Sequence, residues 1–411
     1  MKNIRIIIGT FYGDEGKGLA TDHFCGEHLD TKVLNVKHTG GAQAGHTVVQ
    51  TDGTKHVFSH LGAGSFNPNV ATFLAKEFIC NPMIFVPEFL KLHELNRTPE
   101  VYIDSRCRIT SPVEMMINQI SETHLNKDRH GSCGVGVWET VMSNNRCPDP
   151  IRITDNLLEF TRKLEWLRNI YFEKRLLELG IDKIPDNYKK YIASNKIFDI
   201  YTRNFFEMQK LCTIVPFPAI NELFSRFGHY VFESGQGLML STTNREYMPN
   251  LTASVTGLEP ALDVIQSIDF DDKVHVDVCY VMRTYCTRHG AGRFDTECKQ
   301  EELGVPECPT NKHNEWQKQL RYGYFDLDNA IKFIHKDVHE DNWLFINKPN
   351  SQAVGPVQIN LFVTHCDETN EELLTPIKSA PIEILRSNFK DFNLDKIYTA
   401  AGPTRQDVNV L

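Results

Sequence analysis

Ten residues near the start of the chain constrain its fold more than any other feature. Gly9-Thr10-Phe11-Tyr12-Gly13-Asp14-Glu15-Gly16-Lys17-Gly18 follows a β-branched run at 3–8 and opens a helical stretch over about 17–29. A strand, a glycine-bearing loop and a helix in that order point backbone N–H groups and a helix N-terminus at an anion, and Lys17 adds a full positive charge. The pattern is not a standard P-loop, which reads G-x-x-x-x-G-K-S/T. Here Gly18 follows Lys17, so that position offers no hydroxyl for Mg2+, and Asp14 sits inside the loop. A carboxylate there repels phosphate unless it binds Mg2+ or handles a proton. A plain connecting turn has little use for Asp-Glu between glycines.

Further strands are expected at 33–36, 101–104, 229–233, 275–283, 343–346 and 357–363, with a mostly helical stretch over 156–222. Strands separated by helical segments predict an α/β fold with a mostly parallel, helix-covered sheet. No linker rich in Gly, Ser or Pro interrupts the 411 residues, so we expect one large domain over 1–411 with a helical insertion around 150–225. The net charge of 44 − 53 = −9 disfavours broad nucleic-acid binding but allows a local anion pocket. Apolar runs such as Ile6-Ile7-Ile8 fall far short of the ~20 residues a membrane helix needs. The first residues run straight into a strand, so no signal peptide and a cytoplasmic location are expected. Eleven cysteines without a C-x-x-C pair read as reduced thiols, in neither a zinc site nor a disulfide scaffold.

A second cluster, Gly40-Gly41-Ala42-Gln43-Ala44-Gly45-His46-Thr47, also follows a strand. Small residues around one imidazole allow close approach to a ligand, and His46 can serve as an acid near neutral pH. In open α/β sheets such loops line the ligand crevice.

The two motifs together resemble the adenylosuccinate synthetase family, whose N-terminus reads Gly-Asp-Glu-Gly-Lys-Gly and then Gly-Gly-x-Asn-Ala-Gly-His-Thr. Phe232-Glu233-Ser234-Gly235-Gln236-Gly237, Tyr247 through Thr252-Ala253-Ser254, Thr287-Arg288-His289-Gly290-Ala291-Gly292, Arg321-Tyr322-Gly323-Tyr324-Phe325-Asp326 and Gly402-Pro403-Thr404-Arg405 continue the resemblance in order. It implies a P-loop-NTPase-like α/β fold with insertions, and a homodimer. It also implies a ligase that joins L-aspartate to the purine 6-position of inosine monophosphate, consuming a nucleoside triphosphate with Mg2+.

The resemblance implies roles by position. Asp14, Lys17 and His46 would be catalytic, with Asp14 and the Gly45 carbonyl on Mg2+. The triphosphate would meet Gly13, Glu15, Gly16, Lys17, Gly18, Gly45, His46, Thr47, Lys348, Asn350, Gly402 and Pro403. The purine monophosphate would meet Asp14, Gln43, Ser132, Cys133, Gln236 and Thr252, and Arg146 of a second subunit. Thr287, Arg288 and Gly290 would hold aspartate, the Arg288 guanidinium gripping a carboxylate.

Several positions depart from the family. It reads guanine with Thr-Lys-x-Asp, for which Asn347-Lys348-Pro349-Asn350 is the expected counterpart. An amide at Asn350 weakens guanine recognition, so relaxed or switched donor choice is expected, the donor being GTP or else ATP or dATP. Asp367, in Thr364-His365-Cys366-Asp367, is the weaker candidate because it follows the next strand. Cys133 replaces a Thr, Val135 a usual Arg, and Gln43 an Asn. A viral branch of the family that acts on deoxyguanosine monophosphate is the alternative, although Asp14 is retained here. A purine nucleotide sensor without turnover is a further alternative. A dinucleotide-binding dehydrogenase is disfavoured because no Gly-x-Gly-x-x-Gly follows the first strand.

Overall fold

The isoleucine run after Lys2 becomes the middle of a large sheet, because Ile4, Ile6, Ile7 and Ile8 are all buried and only a strand covered on both faces buries consecutive residues. The computed structural model describes residues 2–270, 274–308, 315–339, 357–369, 372–375, 378–392 and 394–411. The sheet strands are β1 (Lys2–Gly9), β2 (Val33–Lys37), β3 (Val70–Leu74), β4 (Glu100–Asp104), β5 (Thr213–Val215), β6 (His229–Gly237), β7 (Val274–Arg283), β8 (Gln358–Thr364), β9 (Leu394–Ala400) and β10 (Val408–Val410). Their spatial order is β10-β9-β8-β7-β1-β6-β2-β3-β4-β5. All pairings are parallel except β9 with β10. This is the expected α/β class. The expected strand at 343–346 lies outside the described residues, while β3, β5, β9 and β10 were not anticipated.

Ile6 sits between Phe232 and Val278 in register. One face of the sheet packs Ile4, Ile6, Ile8, Val276 and Val278 against the helices at Glu259–Gln266 and Leu327–His339. The other face packs Ile7, Val281 and Phe362 against Leu19 and Phe24 of α1 (Lys17–Gly26).

Beyond β3 and β4, Leu74, Val101 and Ile103 join a second core built by helices at Pro82–Glu94, Pro112–Leu125, Leu157–Trp166, Phe172–Glu178 and Asn195–Leu211. Phe198, Tyr201, Phe205 and Met208 recur at helical spacing and form the buried stripe of the last of these. Capping boxes at Ser111/Glu114 and Asn156/Glu159 start two of the others. The consequence for function is geometric. Because the strands are parallel, the loops after β1, β2, β6, β7 and β8 leave the same sheet edge.

Candidate active site

Those loops enclose a cavity of about 950 Å³. Its floor is the first loop. Gly16, in left-handed backbone at φ 95°, caps α1, a conformation that suits glycine. Glu15 turns inward. Its carboxylate accepts the Phe11 and Gly13 N–H groups at 3.1 and 2.7 Å and holds the Lys17 ammonium at 2.7 Å. Glu15 and Lys17 are both buried. The loop is therefore rigid, but Glu15 already fills two of its N–H groups and offsets the Lys17 charge. Thr364, at the end of β8, ties the loop down by donating to the Glu15 carbonyl at 2.8 Å.

Asp14 stands above this floor with φ 65°. Arg283 ends β7 and grips it twice: Nε donates to the Asp14 carbonyl at 2.6 Å and Nη2 to the carboxylate at 2.7 Å. His289 Nε2 lies 4.0 Å from the same carboxylate. Burial works against the Arg283 charge, yet Asp14 outweighs it and holds the guanidinium protonated more firmly than usual.

His46 begins a hairpin, His46–Val49 paired with Lys55–Phe58. Its Nδ1 makes a short hydrogen bond to Glu233 of β6. Glu233 also accepts from Lys37 Nζ at 2.9 Å and from the Ala63 N–H at 3.0 Å. Burial opposes ionisation of Glu233, but Lys37 and His46 prevail and hold it well below the usual carboxylate range. Burial first, and then the neighbouring lysines, push the His46 imidazole down to about 4. The resting ring is neutral, with its Nδ1 proton directed at Glu233.

Ser132 and Cys133 line the cavity with Gln43, Gln236 and Thr252. The Ser132 loop is ordered from behind by Glu122, whose carboxylate accepts the Gly131 and Ser132 N–H groups at 3.1 Å each. Asn118 donates to the Ser132 hydroxyl at 2.8 Å. Burial pushes the Cys133 thiol up to about 11, so it is present as S–H. Gln43 keeps both amide atoms buried without a hydrogen-bond partner among the described residues.

Gly13, Asp14, Glu15, Gly16, Lys17, Gly18, Gln43, Gly45, His46, Thr47, Ser132, Cys133, Gln236, Thr252, Arg288, Gly402 and Pro403 thus meet in one cavity. Thr287 and Gly290 do not line it. Arg146 lies exposed outside the cavity of its own chain, 3.3 Å from Glu178. Lys348 and Asn350 lie outside the described residues. Asp367, the weaker sequence candidate, lines the cavity with His365 and Glu368. It sits in the short helix Cys366–Thr369, which packs against β9, the strand leading to Gly402 and Pro403.

Arg288, expected to hold aspartate, lines the cavity, and its guanidinium is engaged by the backbone of its own loop and of Asn250. Nε, Nη1 and Nη2 donate to the carbonyls of Ala291, Arg293 and Asn250 at 3.2, 2.6 and 3.2 Å, and the group stacks over Tyr12 at 4.5 Å. It shapes the 288–293 loop from inside. Sequence reasoning missed Arg283, Lys37, Glu122 and the holding role of Glu233. For Arg283, Lys37 and Glu233 the available signal was a charge in or at the end of a strand buried on both faces, which must find a partner; Glu122 lies on the helix Pro112–Leu125 and carried no such signal.

Parallel strands whose loops bring a glycine-rich turn, a buried lysine and a carboxylate to one sheet edge define an α/β protein of the nucleotide-binding class. The sequence model of the adenylosuccinate synthetase family matches residues 6–336, and the chain belongs to that family. It is 28% identical over 334 residues to the adenylosuccinate synthetase of Bacillus subtilis (strain 168), covering 78% of this chain and 71% of that one. It is 29% identical over 307 residues to that of Tropheryma whipplei (strain Twist), covering 72% and 65%. Among solved structures, a fully ligated adenylosuccinate synthetase from Plasmodium falciparum superposes with TM-score 0.72 at 17% identity, covering 100% of both chains. Succinoaminodeoxyadenylate synthetase of cyanophage S-2L, bound to dGMP and to dATP as an energy donor, superposes with TM-score 0.62 at 17% identity, covering 100% of this chain and 95% of that one. At that identity both likenesses speak for the fold. No helix among the described residues is long and apolar enough to cross a membrane.

Proposed function

We propose that the protein is a carbon–nitrogen ligase that joins L-aspartate to the 6-position of a purine nucleoside monophosphate, with inosine monophosphate as acceptor, at the expense of a nucleoside triphosphate. The observation that carries this reading is the convergence of Asp14, the His46–Glu233 pair and the Ser132-Cys133 loop on one cavity. Asp14 takes the purine N1 proton, and the 6-oxygen gains charge and attacks the γ-phosphorus, releasing the diphosphate. The aspartate amine then attacks C6, loses a proton and displaces inorganic phosphate. A keto oxygen leaves poorly and a phosphate leaves well, which is why the sequence needs the triphosphate. His46 sits neutral in the resting site. An incoming triphosphate adds negative charge that favours its protonated form, suited to stabilising the transferring group.

Asp14, whose carboxylate is a hard oxygen donor on the cavity wall, and the carbonyl of exposed Gly45 would hold Mg2+. When bound, Mg2+ supplies charge neutralisation on the phosphates. The protein works as a homodimer, with Arg146 reaching the monophosphate of the partner subunit.

For the donor, Asp367 is the base-reading residue, because it lines the cavity at the end of the sheet occupied by Gly402 and Pro403. A carboxylate accepts from guanine N1–H and N2–H₂, so GTP is the favoured donor. The test is phosphate release with IMP, dIMP, GMP and dGMP crossed with GTP, ATP and dATP. Turnover with IMP and GTP is expected. Asp367→Asn should lower kcat/KM for GTP by about 100-fold and open use of xanthosine triphosphate, whose 2-oxygen accepts from the amide. Equal use of ATP by the wild type would sink the donor assignment. Gln43 and Cys133, in place of the family's Asn and Thr, favour a second reading with dGMP or GMP as acceptor, and the same panel decides it. Nucleotide binding without any phosphate release would instead indicate a sensor.

A further inference from the structure

Arg283 carries more than a single ion pair. It is 3% exposed and ends β7 next to the loop after β1. Two of its donors hold Asp14, one on the backbone carbonyl and one on the carboxylate. Its remaining Nη1 donates to the Tyr285 hydroxyl at 3.1 Å. Tyr285 in turn donates to Glu368 Oε2 at 2.7 Å. Glu368 is the neighbour of Asp367 and lines the same cavity. The chain Asp14–Arg283–Tyr285–Glu368 therefore runs from the group facing the acceptor to the segment facing the donor base.

A left-handed backbone at Asp14 is unfavourable for a residue with a side chain, and must be over-determined by its surroundings to persist. The Arg283 fork does this, because its planar geometry matches a carbonyl and a carboxylate at once. A lysine has the charge but not the fork.

We propose that Arg283 is a positioning residue. It fixes Asp14 for proton abstraction and, through Tyr285 and Glu368, makes that geometry depend on the donor-base segment being in place. The inference rests on the ligase reading above. Arg283 acts through Asp14, so it should have no effect of its own once Asp14 is gone.

The test is a double-mutant cycle on the full-length protein with IMP, GTP and aspartate at saturation. Arg283→Gln should lower kcat by about 100-fold while the KM for both nucleotides moves less than about 3-fold. Asp14→Ala and the double variant Asp14→Ala/Arg283→Gln should agree within about 2-fold, the mark of two residues acting as one unit. Arg283→Lys should recover part of the loss. Tyr285→Phe, which keeps the Arg283–Asp14 pair but cuts the link to Glu368, should raise the KM for the triphosphate while leaving that for IMP unchanged. Circular dichroism and melting temperature identify any variant that fails to fold, and Arg283→Lys with Tyr285→Phe then carry the test. Losses that multiply in the double variant, or an unchanged kcat in Arg283→Gln, overturn the proposal. A wild-type protein that releases no phosphate with any substrate set overturns the ligase reading, and this inference falls with it.

Discussion

Removing the Arg288 guanidinium would leave the carbonyls of Asn250, Ala291 and Arg293 without their donor inside the protein. Arg288→Leu should therefore cost about 1–2 kcal/mol of stability, because these carbonyls are only partly buried and water can replace part of what each loses. Denaturant titration measures it. An effect confined to the KM for aspartate, with stability intact, would restore the role that sequence reading expected. Arg288 shows the limit of reading residues singly. Its type and motif marked it as functional, but only its three backbone partners show where the charge goes. His46 is the opposite case. A lone histidine in a small-residue loop is ambiguous, and Glu233 and Lys37 behind it show that it is oriented.

Between elements, the loops after β2 and β6 touch at two glycines. A Cβ on Gly235 would sit 2.7 Å from the Gly40 Cα and 3.0 Å from the Thr39 carbonyl. Backbone cannot yield as a flexible side chain can, so Gly235→Ala must separate the two loops. It should destabilise the protein by about 1–3 kcal/mol. It should also lower kcat, because Glu233 lies two residues away and holds His46. Wild-type stability and turnover in that variant would show that the loops need not touch. The strands β1, β6, β7 and β8 were legible from their β-branched and aromatic runs, while β9, of seven residues with charges at its start, was not. β5 has only three residues and β10 likewise. Strands that short carry no periodicity, and their pairing comes from the edge they meet.

At the scale of the molecule, the buried histidines set the acid limit. Burial holds His38 down to about 3 and His46 to about 4, and lowers His23, His56 and His365 as well. In the unfolded chain each takes up a proton near the ordinary 6.5. Their contribution to stability is therefore present above 6.5 and lost as pH falls toward 4. Asp22, raised to about 6, and Glu114 work the other way, since the folded state keeps their protons, but they are outnumbered. The free energy of unfolding should fall as pH drops from about 6.5 to about 4. A flat or rising profile in urea titrations over that window would contradict the burial of these rings.

By itself, the sequence determined the strand–loop–helix entry, the parallel α/β class, and most of the loop residues that line the cavity. These are properties of contiguous residues: glycines where the backbone must turn, apolar runs where both strand faces are covered, and a charge at a helix start. Only the tertiary structure decided which groups restrain those residues. Arg283 is 269 positions from Asp14, and Glu233 is 187 positions from His46. The first pair meets because β7 lies beside β1, and the second because β6 lies beside β2. Strand order is set by packing of the whole core, and no local pattern encodes it. The same packing placed Asp367 in the cavity, and it turned Arg288 inward, since a buried charge takes the partners that the fold brings within reach.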